Sequence, residues 1–339
     1  MITNRIVIVG CGNMAHAWVK TALARQDSEI AALVDLKEES AKRLSEAFGL
    51  DVPFYTGVQE AIRETGANLV FDVSIPEARK QIVTASLEAG CDVFSEKPMA
   101  VSLEDAKGLA AAAESSGRTF SVMQNRRYNK GIRALKQLLA EGTIGQPGMI
   151  CADFFLGPHF GGFRDVMESP LLLDMAIHTF DQARFLIGSD PVSVYCHEFN
   201  PAGSWYRGSA SAVCLFEFAD GSVFSYRGSW CAEGAPTSWE AAWRITGSGG
   251  TAIWDGTTPP YAEAPAAGGQ PSFIRETRRI EAPLVWSEDE GHAGCLAEMF
   301  AARQEGRRAE TDCTDNIKSI GMVFGALESS AKGVKVSLL

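Results

Sequence analysis

The chain has 339 residues, 46% of them hydrophobic and 22% charged, which is enough for two domains and typical of a globular enzyme. Its 42 acidic against 31 basic residues leave a formal charge of −11. A surface of that sign repels a phosphate backbone and argues against nucleic acid as a general partner. It leaves room for a phosphate-bearing cofactor, because a helix N-terminus binds one locally.

The first third alternates strand and helix. Residues 5–9 form a β-branched run of the kind buried in a parallel sheet. Residues 13–25 read as a helix, 30–34 as a second strand, and 37–48 as a helix that Gly49 is placed to stop. Strands follow at 68–73, 92–94 and 119–122, with helices at 78–89 and 103–115 between them. This alternation predicts βαβ units in a doubly wound parallel sheet.

After about residue 123 the rhythm changes. A helix at 130–140 leads to a strand at 148–155, a Gly/Pro-rich loop at 157–170 and a helix at 171–187. Segments 210–218 and 223–230, joined by Asp220-Gly221, read as a hairpin. Strand signals continue at 239–246, 250–254 and 274–286, and helices close the chain at 292–304 and 315–331. The expected architecture is α/β: a Rossmann domain over 1–122, then an α+β domain over 123–339 with a mostly antiparallel sheet. The last helix is a candidate to pack back on the first domain. The eight cysteines are scattered, with no C-x-x-C pair and no Cys/His cluster of zinc spacing, so they read as reduced thiols and no metal is expected. The opening residues lead directly into a strand and no apolar run nears the roughly 20 residues that span a bilayer. A cytoplasmic address and no membrane partner are the expectations.

Gly10-Cys11-Gly12-Asn13-Met14-Ala15 is a G-x-G-x-x-A turn directly after a strand and opening a helix. Gly10 permits the tight turn, Gly12 lets the backbone approach a pyrophosphate, and Ala15 allows close helix–strand packing. The pyrophosphate would sit on the helix N-terminus. Such a glycine pattern is also what an ordinary βα turn uses; Asp35, ending the second strand 25 residues after Gly10, strengthens the dinucleotide reading. Its carboxylate suits ribose hydroxyls and repels a 2′-phosphate, favouring NAD over NADP, while nearby Lys37 tempers that preference.

Glu96-Lys97-Pro98 follows the fifth strand, which puts the lysine at the carboxyl edge where such sheets bind ligands. Lys-Pro is also a candidate for a cis bond. Asp174 and His178 are four apart in the apolar run 171–178, so on a helix they share one face, where a carboxylate can orient an imidazole. Asp181 is either a third member or a solvated residue. In the loops, His159 and Arg164 among glycines and aromatics, and Trp205 with Arg207, offer hydrogen-bonding groups beside flat apolar surfaces. Such pairings recognise sugars and polyols. Two inward-facing arginines would favour a carboxylated sugar.

Taken together, the glycine turn, Asp35, Glu96-Lys97-Pro98, Gln124-Asn125-Arg126-Arg127-Tyr128, Asp174…His178…Asp181 and the tail Glu305-Gly306-Arg307-Arg308…Thr311-Asp312 resemble the glucose–fructose oxidoreductase/inositol dehydrogenase (Gfo/Idh/MocA) family over essentially the whole chain. The resemblance implies a Rossmann domain, an open-faced second sheet used in homodimer or homotetramer contacts, and NAD(P)-dependent hydride transfer on a sugar, polyol, inositol or sugar acid. It implies Lys97, Asp174 and His178 as catalytic residues, and Gly10, Cys11, Gly12, Asn13, Met14, Asp35, Ser74, Pro76, Glu96, Lys97 and Gln124 around the cofactor. One departure stands out: where family members often carry T-P-x-x-x-H, Ile75-Pro76 here leads to Lys80. Two other readings stay open. One is an NAD-retaining glycosidase or lyase, and the other a non-catalytic dinucleotide-sensing regulator.

Overall fold

The computed structural model describes residues 3–266, 273–284, 286 and 288–338. Their contacts divide the chain into two units, Met1–Asn125 with Asp289–Ile320, and Arg126–Glu288 with Gly321–Leu339.

In the first unit, β1 (Asn4–Val9), β2 (Ser28–Val34), β3 (Phe54–Tyr55), β4 (Leu69–Asp72), β5 (Asp92–Ser95) and β6 (Phe120–Val122) alternate with α1 (Ala15–Leu23), α2 (Glu38–Phe48), α3 (Val58–Thr65), α4 (Pro76–Glu88) and α5 (Leu103–Ser116). The six strands pair in parallel in the order β3-β2-β1-β4-β5-β6. The direction of winding reverses between β1 and β4, the switch point at which such sheets open a crevice. Strands buried on both faces need continuous apolar runs, and Ile6, Val7, Ile8, Val70 and Phe71 are fully buried. The sequence expectation lacked β3 and α3: a two-residue strand carries no periodicity to read.

The second unit holds α6 (Lys130–Ala140), β7 (Pro147–Phe155), α7 (Ile177–Ile187), β8 (Pro191–Phe199), β9 (Ser211–Phe218), β10 (Val223–Ser229), β11 (Ala242–Gly247), β12 (Gly250–Trp254), β13 (Tyr261–Pro265) and β14 (Thr277–Glu281). The chain then returns to the first unit with α8 (Gly291–Glu305). The last helix, α9 (Cys313–Lys332), begins in the first unit and ends in the second, before β15 (Val336–Ser337). The nine strands run in the order β14-β13-β12-β11-β7-β10-β9-β8-β15. All neighbours are antiparallel except β7 with β10. One face is covered: Phe180 of α7 meets Phe216 at 4.8 Å and Tyr226 at 5.2 Å between ring centroids. The alternate residues Met149, Tyr195, Val213 and Leu215 are exposed on the other face. The helix expected over 171–187 is of two kinds. Leu171–Ala176 is a π-helical turn and α7 starts only after it. Such wide turns are uncommon and frequent at functional sites.

Candidate active site

Five segments of the first unit end at the carboxyl edge of its sheet and carry the candidate cofactor residues. After β1, Gly10 adopts φ +89°, and a Cβ there would lie 2.7 Å from the Val73 carbonyl beyond β4, so only glycine fits. A Cβ on Gly12 would meet nothing within 4 Å, which leaves the backbone approachable. The Cys11 N–H donates to Asp35 Oδ2 at 2.9 Å, and the Lys37 N–H to Oδ1 at 2.8 Å, so the turn and the carboxylate after β2 brace one another. Among the described residues, nothing accepts from the N–H groups of Gly12, Asn13 or Met14. Three open donors at the start of α1 form the kind of cradle that binds a pyrophosphate. Met14, Leu36 and Ile75 present exposed apolar side chains along this edge. The Gln124 amide, buried after β6, has neither of its polar atoms bonded among the described residues. These features fit a dinucleotide. Cys11 itself is a packing group: burial, helped by the Asp35 charge, pushes its thiol up to about 12, so it stays neutral.

Beyond β4 and β5 lies a polar core that the sequence reading did not anticipate. Arg79 and Asp72 are both completely buried and paired at 2.9 Å. Arg79 also donates to the Ser74 carbonyl at 2.7 Å and to the Pro98 carbonyl. Asp72 in turn accepts from the Ser95 hydroxyl at 2.8 Å and the Ser74 N–H at 3.1 Å. One guanidinium thus pins both the turn leading to Pro76 and the Lys97-Pro98 turn, whose peptide bond is cis. Lys80, singled out by the departure from the family pattern, instead points outward to Asp105 at 2.6 Å. The signal was present: Arg79 shares the buried stripe of α4 with Val83, Ser86 and Leu87, and a charge on an apolar stripe implies a buried partner.

Glu96 is buried and holds the start of the same turn. Its Oε2 accepts the Lys97 N–H at 3.2 Å, and its Oε1 accepts the Trp18 indole N–H of α1 at 2.9 Å and lies 3.5 Å from His292 Nε2 of α8. Burial alone would raise its pKa. Hydrogen bonding and charge from His292, the Trp18 donor and the Lys97 charge outweigh it and hold the carboxyl below its ordinary value.

In the second unit, Asp174 sits on the π-helical turn and His178, 6% exposed, in the first turn of α7. Arg164 donates from Nε to Asp174 Oδ2 at 2.7 Å, and its guanidinium lies over Phe160 and Phe163 at 4.9 and 4.7 Å. Asp181 is not solvated: it is buried and gripped by Arg127 at 2.6 and 2.7 Å. His159 stacks on Trp205 with centroids 3.8 Å apart and reaches Glu233 at 2.8 Å. Arg207 is exposed and lines a separate recess of about 290 Å³ with Val166, Glu168, Asn200, Gly208 and Ser209. Arg164 is not part of that recess, so the two arginines are not gathered on one carboxylate there. Among the described residues there is no cluster of His, Cys, Asp and Glu able to hold a metal, and no helix long and apolar enough to cross a membrane.

Comparison with known proteins agrees with this geometry. Residues 4–124 match the model of the GFO/IDH/MocA oxidoreductase family with its NAD-binding Rossmann fold, and residues 132–253 match the family's C-terminal domain. The chain is 25% identical to the uncharacterized protein y4oX of Sinorhizobium fredii, covering 99% of this chain and 96% of that one. It is 30% identical to an inositol 2-dehydrogenase of Serratia proteamaculans over 57% of each. Among solved structures, an oxidoreductase from Agrobacterium radiobacter, in complex with NAD+, L-tartaric acid and magnesium, superposes with a TM-score of 0.86 at 21% identity over 98% of both chains. With both of its domains matched, the chain belongs to the GFO/IDH/MocA family of oxidoreductases and carries that family's NAD-binding Rossmann fold.

Proposed function

We propose that this protein transfers a hydride between NAD and a hydroxyl-bearing carbon of a sugar, polyol, inositol or sugar acid. The observation that carries the reading is Lys97, held by Glu96 at the same sheet edge as the open N–H cradle of α1. The bound nicotinamide supplies the hydride acceptor. His178 takes the hydroxyl proton and Asp174 keeps its imidazole basic and oriented, while Lys97 places positive charge against the developing alkoxide. Arg164 fixes Asp174 through its Nε and leaves its terminal nitrogens for the substrate. His159 and Trp205 form a stacked wall suited to a sugar ring. The inositol dehydrogenase relative and the tartrate-bound neighbour support a small polyhydroxylated substrate.

Asp35 sets the cofactor. Its carboxylate suits two ribose hydroxyls and repels a 2′-phosphate, so NAD is expected to bind at least about tenfold more tightly than NADP, a gap of about 1.4 kcal/mol. The test screens purified protein with each cofactor against inositols, sugars and sugar acids. Net NADH formation with NAD is expected. Product formed without NADH would indicate the NAD-retaining elimination, and cofactor binding without turnover on any of them would favour a dinucleotide-sensing regulator. We further propose a homodimer or homotetramer assembled through the open sheet face, where Met149, Tyr195, Val213 and Leu215 are each about half exposed. A cytoplasmic setting is supported by eight cysteines that are all unpaired.

A further inference from the structure

The Glu96 carboxylate joins three segments that are distant in sequence: the dinucleotide helix α1 through Trp18, the lysine turn through the Lys97 N–H, and α8 through His292. The remaining ring nitrogen of His292 fixes its tautomer. Nδ1 lies 3.4 Å from the Asn125 side-chain Nδ2. An amide nitrogen only donates, so Nδ1 accepts and the proton of a neutral ring resides on Nε2, facing Glu96 Oε1. Asn125 immediately follows the buried Gln124, just beyond β6, so the imidazole is held from the same sheet edge it serves.

We propose that His292 is a positioning residue for Lys97, acting through Glu96. The proposal rests on the reading of Lys97 as the group placed against the substrate oxygen. A carboxylate this buried needs a donor for each lone pair it turns away from water. With His292 present, Oε1 has two partners on one side, and Oε2 is left directed at the Lys97 N–H. Without it, Oε1 retains, among the described residues, only the Trp18 indole, and the balance of burial against hydrogen bonding shifts toward protonation or rotation of the carboxyl group. Either event loosens the peptide that carries Lys97. Positional errors of about 1 Å at a reacting group cost on the order of 100-fold in rate, so partial loosening is expected to cost about tenfold. The pyrophosphate cradle of α1 does not involve His292, so cofactor affinity is expected to change little.

The experiment uses the full chain and two variants, His292→Leu, which removes the donor, and His292→Gln, which restores a neutral one. Lys97 is followed without any substrate, by its rate of modification with trinitrobenzenesulfonate, mapped by peptide mass spectrometry and referenced to the exposed Lys37 and Lys107. In His292→Leu the Lys97 rate is expected to change by at least about threefold against those references, with NADH affinity by fluorescence titration within about threefold. On a substrate from the screen, kcat is expected to fall about tenfold with KM nearly constant, and His292→Gln to recover most of it. Wild-type Lys97 reactivity and kcat in His292→Leu would overturn the proposal. So would losses that track the unfolding temperature and are not recovered by His292→Gln. Failure of the underlying reading is separately visible: Lys97→Met would then turn over normally, whatever His292 does to Lys97 reactivity.

Discussion

Replacing Lys97 by Met or His178 by Ala is expected to lower turnover by about 100-fold or more, as for the loss of an electrostatic or acid–base contribution. The two variants should differ in what they leave intact. His178 belongs to the second unit, whereas the glycine turn and Asp35 belong to the first. Calorimetric titration of His178→Ala with NAD should therefore give near-wild-type affinity. His178 is buried in a helix packed on the sheet, so its thermal transition should be recorded alongside, and a loss of rate without a loss of folded protein is the expected pattern. Unchanged turnover in His178→Ala would remove the imidazole from the mechanism.

Arg79→Met is expected to produce the largest change in stability. It leaves the Asp72 carboxylate fully buried with, among the described residues, hydroxyl and amide donors but no cation. Breaking a buried pair from one side costs about 3–5 kcal/mol. At roughly 2–4 °C per kcal/mol for a unit of this size, the unfolding temperature should fall by about 6–20 °C. NADH affinity should weaken too, because the same guanidinium holds the carbonyls of Ser74 and Pro98. The double variant Arg79→Met, Asp72→Asn removes the orphaned charge and should recover part of the stability. A shift of under about 1 kcal/mol in Arg79→Met would mean that Asp72 is satisfied by its other donors alone.

What could be read from the sequence was what is local. The glycine turn, Asp35 and Glu96-Lys97-Pro98 each sit one step beyond a strand, so their place on the sheet edge follows from the strand itself. The Asp174–His178 spacing depends only on helical geometry. Even there, the hydrogen-bond register that makes Leu171–Ala176 a π turn leaves no mark in the residue pattern. The rest depends on contacts between distant segments. Arg164 reaches Asp174 ten residues later, and His292 reaches Glu96 from the far end of the chain. Residues 289–320 join the first unit because Phe300 packs against Phe94 at 5.3 Å and Arg303 bonds Asp92 at 2.8 Å, neither of which any spacing rule predicts. Arg79 lies between these cases: its stripe on α4 announced burial, while the family pattern drew the eye to its solvent-facing neighbour Lys80.

Hydride transfer itself is tested most directly by isotope. A substrate identified in the screen is prepared with deuterium on the hydroxyl-bearing carbon and turned over with NAD, and the reduced cofactor is analysed by mass spectrometry. Deuterium carried into the nicotinamide ring of the NADH formed is the expected result. Oxidised product accompanied by NADH that holds only protium, with the label lost to water, would contradict direct transfer from that carbon and with it the roles given to Lys97 and His178.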